Sequence, residues 1–204
     1  MNIVFLSFLK NLIFGFISYL LISWPREILR VFLYTLFIPK EERKIVFLKR
    51  RSLINCIDPI GLFTFIFFDF GWTHSPAIDY SKSKGKNLFV YSIGGILSSL
   101  ILFVSYGLLC RFINLTVVFN ILYMASKWSL TLGLISILPI PPLDGSRMIL
   151  AFLPSKYYEW YLKFNFYGVI FMLGLLVLWI LPMIMQPLVI FISNVTNFII
   201  FRNW

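Results

Sequence analysis

The feature that most constrains this chain is a succession of long apolar segments separated by short basic stretches. These segments cover residues 3–38, 87–110, 116–138, 164–185 and 187–201. A helix of about 20 apolar residues crosses a bilayer. The chain of 204 residues is 60% hydrophobic, with a mean hydropathy of +0.89, and a soluble domain has too little interior to bury that much apolar surface. We therefore expect an all-α polytopic membrane protein with four to six membrane segments and one transmembrane domain over residues 1–204.

Prolines and charges interrupt the first and fourth of these segments. The first is too long for one simple crossing, and Pro25 with its neighbouring charges indicates one span followed by a kinked or continued helix. Pro182 predicts a break within the segment at residues 164–185.

A further apolar stretch, residues 57–72, is too short for a straight crossing. Asp58 and Asp69 lie near its two ends. A re-entrant hairpin is favoured, because it places the lysines of residues 82–86 on the same side of the membrane as the basic loop at residues 39–51. A crossing would place them on opposite sides.

The net charge of +10 comes from lysines and arginines in short loops, as expected for cytoplasmic loops of a membrane protein. These residues predict orientation and attraction to anionic headgroups, and they do not indicate nucleic-acid binding. The expected partners are the lipid bilayer and other membrane proteins. The Phe-, Ile- and Lys-rich composition favours a prokaryotic inner membrane, with the basic loops on the cytoplasmic side. Two cysteines are too few for a disulfide framework or a four-cysteine metal site.

The most informative stretch is SILPIPPLDGSR, residues 136–147. Its three prolines break a helix at membrane depth, which is tolerated only where protein or a wet cavity satisfies the backbone groups. Asp144 lies at this break. A carboxylate at membrane depth requires a partner.

This stretch resembles the LDG motif of the intramembrane site-2 metalloproteases. Three other segments resemble family motifs in the family's order: CIDPIG at 56–61, FGWTHSPAID at 70–79 and IGGILSS at 93–99. The resemblance covers residues 20–155 and implies a site-2-protease-like transmembrane core. Residues 156–204 would add C-terminal membrane segments.

In that family an H-E-x-x-H motif supplies two zinc-binding histidines and a glutamate base, and the LDG aspartate is the third zinc ligand. The stretch at the corresponding distance here is WPREILRVF, which retains Glu27 but carries Arg26 and Arg30 at the histidine positions. Arginine has no lone pair to give to a metal. The resemblance therefore implies degenerate positions at Arg26, Glu27, Arg30 and Asp144, with no catalytic residue, no metal and no cofactor.

Other motif positions have changed too. Cys56 replaces a histidine, Gly95 a proline, and Ser98 and Ser136 asparagines of the family pattern. The single histidine, His74, is expected in a solvated loop, and Cys56 is expected to be buried and inert.

Two interpretations of the arginines remain open. Arg26 and Arg30 lie one turn apart on a helix face and bring the two positive charges of a zinc ion, so we expect one or both to pair with Asp144. Glu27 would be a second acceptor or would face the aqueous boundary. Alternatively, both arginines extend to lipid headgroups, and Asp144 caps a helix after the proline break.

The resemblance implies a catalytically inactive binding, scaffolding or regulatory subunit of a membrane assembly, with a groove that admits a transmembrane helix. The expected groove residues are Asp58, Gly94, Gly95, Ser98, Ser136, Pro139, Pro141, Pro142 and Asp144. Small residues let a second helix approach closely. One alternative is an active intramembrane zinc metalloprotease that cleaves transmembrane substrates and takes a ligand from a partner chain. A small transporter or channel subunit is another.

Overall fold

The structure is a computed structural model that describes residues 2–43, 56–76, 78, 83 and 85–196. Its helices are α1 Asn2–Phe37, α2 Pro59–Phe68, α3 Gly85–Cys110, α4 Thr116–Ile135, α5 Asp144–Leu150, α6 Tyr158–Val177 and α7 Ile180–Thr196. Four of them, α1, α3, α4 and α6, are long and apolar enough to cross a membrane. The described part of the chain contains helices and no β-strand, so the expected all-α polytopic architecture is confirmed. Most of the basic loop at residues 39–51, together with Lys82 and Lys84, lies outside the described residues.

Helix α1 continues without interruption through Pro25. Its 36 residues give a length of about 54 Å, which exceeds the hydrocarbon thickness of about 30 Å. The first segment is thus a single helix on both sides of Pro25. Arg26, Glu27 and Arg30 consequently lie within a regular helix that packs against the rest of the protein.

Helix α3 is the central element and packs against α1, α4 and α5. It runs antiparallel to α1: Gly94 lies against the Arg30 backbone, and further along α3 the Tyr106 hydroxyl donates to the Leu21 carbonyl. Helix α4 packs against both α3 and α1. The Ser126 hydroxyl donates to the Phe103 carbonyl of α3 at 2.8 Å, and the Ser18 hydroxyl of α1 donates to the Ile121 carbonyl of α4 at 3.0 Å. The three helices form the walls around Asp144.

Residues 57–72 form a segment whose two ends lie close together. Helix α2 has ten residues, about 15 Å, and is too short to cross a bilayer. Asp58 caps its N-terminus and also accepts a hydrogen bond from Trp72 Nε1 at 3.1 Å, so the two ends of the segment meet. The Tyr19 hydroxyl lies between them, within 3.2 Å of the carbonyl oxygens of Asp58 and Trp72. The outward-and-back path is the geometry expected of the hairpin.

Replacing Tyr19 by phenylalanine is expected to lower the free energy of unfolding by about 1–3 kcal/mol, because backbone groups at the neck of the hairpin lose their buried partner. Unfolding of the purified protein in detergent measures this change. Tyr167→Phe is the matched control, since Tyr167 is 63% exposed on α6. Equal stabilities for the two variants would contradict the role given to Tyr19.

The expected break within the segment at residues 164–185 is present, but it does not lie at Pro182 itself. The helix break lies earlier, at Trp179, which has a φ of 61°, and α7 begins at Ile180. Pro182 therefore lies in the first turn of α7, where its missing N–H has no helical partner to lose. Pro187, expected to begin the last segment, lies inside α7.

Candidate functional site

The loop between α4 and α5 places Asp144 in the protein interior. The chain leaves α4 after Ile135, and the Gly145 N–H donates to the Ser136 carbonyl at 2.7 Å, which folds the loop back on itself. A side chain at Gly145 would collide with the carbonyl oxygens of Ile137 and Leu138, so this close approach requires glycine. Asp144 is the first residue of α5, and Leu143 rather than Asp144 is the capping residue, so the alternative of a helix-capping aspartate is wrong.

Both arginines of α1 pair with this carboxylate. Arg26 Nη2 lies 2.5 Å and Arg30 Nη2 lies 2.7 Å from Asp144 Oδ2. The three side chains are 0–3% exposed. The predicted pairing is confirmed, and the alternative of arginines that reach lipid headgroups is wrong.

Glu27 and Arg147 complete the charge cluster. Glu27 Oε1 lies 3.2 Å from Arg26 Nη1 and 3.4 Å from Arg30 Nη2, so Glu27 is the second acceptor. Arg147 Nη1 donates to Asp144 Oδ1 at 3.2 Å from one turn along α5. Within the described residues the cluster contains three guanidinium groups and two carboxylates, which leaves a formal charge of +1. Arg147 is buried, whereas the lysines and arginines as a group were expected in short loops.

Hydroxyl groups from three other elements accept further hydrogen bonds from Arg26 and Arg30. Arg26 donates through Nε to Ser99 Oγ on α3 and through Nη1 to Thr73 Oγ1, each at 2.8 Å. Arg30 Nη1 donates to Ser75 Oγ, also at 2.8 Å. Ser136, a predicted groove residue, instead accepts from Arg26 Nη2 at 3.3 Å. The hairpin's return segment, α3 and the α4–α5 loop are thus joined through the guanidinium groups.

The cluster leaves little room for chemistry. The cavity beside Asp144 has a volume of about 10 Å³, enough for about one water molecule and too small for a peptide segment. Zinc requires lone pairs from nitrogen, sulfur or oxygen, and the groups that face Asp144 are guanidinium donors, so these residues do not fit a zinc ion. The described residues contain no group of three or more His, Cys, Asp or Glu side chains placed to hold a metal.

His74 and Cys56, which were not expected to take part in the charge cluster, lie in the environments predicted for them. His74 is 56% exposed, with Nδ1 3.9 Å from Asp58 Oδ2. Cys56 is buried and forms no disulfide with Cys110. Neither side chain reaches the charge cluster through any described contact.

The predicted groove residues fall into separate places. Gly94 and Gly95 face α1, where a Cβ at Gly95 would collide with the Arg30 guanidinium and the Asp144 carboxylate. Ser98 is buried on the same helix and donates to the Gly95 carbonyl. The small residues of α3 therefore admit α1 of this chain, and a partner helix does not enter between α1 and α3 in this conformation.

The remaining groove residues lie around the rim of the cluster. Asp58 caps α2, and Pro142 lines the small cavity beside Asp144. Pro139 and Pro141 line an open groove between the α4–α5 loop, α5 and α6, with a volume of about 140 Å³. Of the predicted set, only Pro139 is exposed, and Pro141 is buried at the edge of the same groove.

Gly95→Ala is expected to destabilise the protein by about 1–3 kcal/mol, because the added methyl group displaces the paired Arg30 and Asp144 side chains. Thermal unfolding in detergent measures the effect. Gly174→Ala is the control, since a Cβ there meets nothing within 4 Å, and alanine favours a helix by up to about 1 kcal/mol. An unchanged stability of the Gly95 variant would show that the cluster tolerates displacement.

Comparison of this chain with protein-family models, with curated proteins and with solved structures gave no match. The geometry of the buried cluster is therefore the basis for a functional assignment.

Proposed function

We propose that this chain is a catalytically inactive relative of the site-2 metalloproteases that acts as a binding subunit of a membrane assembly. The observation that supports the proposal is the pairing of Arg26 and Arg30 with Asp144. In the family motif the corresponding positions are three zinc ligands, so the arginines compensate the same carboxylate charge without providing a metal site. Removing the carboxylate alone, or the guanidinium groups alone, would leave a buried ion unpaired. This cost accounts for the presence of an aspartate in a protein without zinc chemistry.

A binding role is favoured over catalysis because the paired charges fill the interior around Asp144. An accessible groove lies beside this cluster. The groove passes Pro139 and Pro141 and is bordered by Ile149 and by the aromatic side chains of Trp160 and Phe164. Ile149 and Trp160 are 50% and 59% exposed. Aromatic and aliphatic walls suit the apolar face of a transmembrane helix, which we assign as the occupant.

Site-specific photocrosslinking tests this assignment in native membranes. A photoreactive residue at position 160 is expected to give one discrete adduct with an integral membrane protein, identified by mass spectrometry. The same residue at Phe112, which is 78% exposed in the α3–α4 connection, is the matched control and is expected to give none. Ile149→Trp should remove the adduct by filling the groove, whereas Ile170→Trp, at a 55% exposed position on α6, should leave it intact.

Two results would contradict the proposal. The first is an adduct that persists in the Ile149→Trp variant or forms equally from position 112. The second is stoichiometric zinc in the purified wild-type protein together with cleavage of a transmembrane substrate, which would favour the active-protease alternative.

A further inference from the structure

A second polar pocket lies at the far end of the hairpin, away from the charge cluster. It has a volume of about 280 Å³ and is bordered by α1, the C-terminal end of α2 and α4. Its polar lining includes Lys10, Asn11, Asp69, Asn120 and Lys127. Ionisable side chains within membrane-spanning helices are costly and usually mark a functional site.

Asp69 is held rigidly at one wall of this pocket. It ends α2 in the left-handed conformation, with a φ of 59°. Its Oδ1 accepts from Trp128 Nε1 at 2.9 Å, and its Oδ2 accepts from Lys127 Nζ at 3.2 Å. Both carboxylate oxygens are therefore engaged. This contact also explains a lysine in the middle of α4.

The pocket carries a surplus positive charge. Lys10 and Lys127 contribute two ammonium groups, and Asp69 contributes one carboxylate, so these lining residues sum to +1. The Lys10 ammonium lies 5.2 Å from the centroid of the Phe14 ring, an arrangement that orients it beside the pocket. The side-chain amides of Asn11 and Asn120 add hydrogen-bond donors.

The pocket borders apolar surface that faces outward. Ile13 and Ile17 follow Lys10 on the same face of α1 and are 47% and 37% exposed. Val117 precedes Asn120 by one turn on α4 and is 55% exposed. A ligand with a charged head and alkyl chains would place its head in the pocket and its chains along these side chains.

We propose that this pocket binds the singly charged phosphate group of an anionic lipid, with Lys10 as its principal cation and the Asn11 and Asn120 amides as further donors. One phosphodiester charge neutralises the surplus of +1. An ammonium group beside hydrogen-bond donors pairs with a phosphate oxygen through charge-assisted hydrogen bonds. The proposal is independent of the proposed binding of a partner helix, which uses a groove on other elements.

Lipid titration monitored by native mass spectrometry tests the proposal on the full-length protein in detergent. The probes are short-chain phosphatidylglycerol, short-chain phosphatidylcholine and inorganic phosphate. Phosphatidylglycerol is expected to bind and phosphatidylcholine to bind at least tenfold more weakly. Lys10→Gln is expected to weaken phosphatidylglycerol binding about tenfold, the effect of losing roughly 1.4 kcal/mol from a charge-assisted hydrogen bond.

Two further variants keep the result interpretable. Lys10→Arg retains the charge and is expected to bind within about threefold of wild type. Lys163→Gln removes an exposed lysine from α6 and is expected to bind as wild type. Equal binding of inorganic phosphate would support the phosphate chemistry and assign a soluble anion as its source. Equal binding of phosphatidylcholine, or unchanged binding in Lys10→Gln, would overturn the proposal.

Discussion

Replacing Asp144 by asparagine is expected to lower the free energy of unfolding by about 3–5 kcal/mol, the loss typical of removing one partner from a buried ion pair. The substitution preserves the shape of the side chain and removes its charge. Three guanidinium groups would then face Glu27 as the one remaining carboxylate of the cluster. Chemical or thermal unfolding of the detergent-solubilised protein measures the change, and steady-state abundance in membranes provides a second measurement.

Asp58→Asn is the matched control for this substitution. Asp58 is 19% exposed and caps α2, a position at which asparagine is about as effective as aspartate. We expect a loss of about 1–2 kcal/mol, smaller than that of Asp144→Asn, because the single oxygen of asparagine keeps the cap hydrogen bonds while its amide group replaces the oxygen that accepts from Trp72. Similar losses in the two variants would show that the Asp144 charge is not what the arginines require.

Replacing both cluster arginines of α1 by histidine is expected to convert the protein from one that binds no zinc to one that binds about one zinc ion per chain. The double variant Arg26→His/Arg30→His places two imidazoles one turn apart on α1, facing Asp144. Two imidazoles and a carboxylate form the three-ligand set of many catalytic zinc sites. The bound ion would restore the two positive charges that the substitutions remove. Elemental analysis of the purified variant measures the zinc content.

The control is the double variant Arg26→Gln/Arg30→Gln, which removes the same charges and offers no imidazole. Both variants must elute as monodisperse species, since only a folded chain brings α1 and Asp144 together. A monodisperse histidine variant without zinc would contradict the proposal that the cluster derives from a metalloprotease site.

The pairing of Arg26 and Arg30 with Asp144 could be predicted because a charged side chain at membrane depth requires an opposite charge, and few such partners are present in the sequence. The hairpin at residues 57–72 was predicted separately, from its length and flanking charges. The first prediction depended on the cost of an unpaired charge in hydrocarbon, and the second on the number of residues that a crossing requires and on the side where the lysines fall. The described geometry agrees with each of them.

Features that depend on exact register could not be predicted. Thr73, Ser75 and Ser99 accept arginine hydrogens, but nothing in the sequence distinguishes them from other hydroxyl residues of the same segments. Arg147 had an available signal, because it follows Asp144 at a spacing of three residues and can pair along one helical turn. The break within residues 164–185 was predicted from Pro182, but its position at Trp179 was not. Pro182 is compatible with a first helical turn, and proline alone does not say which side of it is helical.

The small residues of α3 were correctly predicted to lie where another helix approaches closely. The identity of that helix was not predicted. Sequence pattern identifies a surface that admits a helix, and it does not say whether that helix is part of the same chain. The contacts of Gly94 and Gly95 with Arg30 supply that information.

The 118 residues that separate Arg26 from Asp144 have a consequence for biosynthesis. Helix α1 emerges from the ribosome first, so its guanidinium groups enter the insertion machinery before their carboxylate has been translated. Until α5 arrives, nascent α1 depends on Glu27, water or a chaperone to shield its charge. Completion of the fold is thereby tied to synthesis of the α4–α5 loop, and a truncated product that lacks this loop presents an unmatched cationic helix to membrane quality-control proteases.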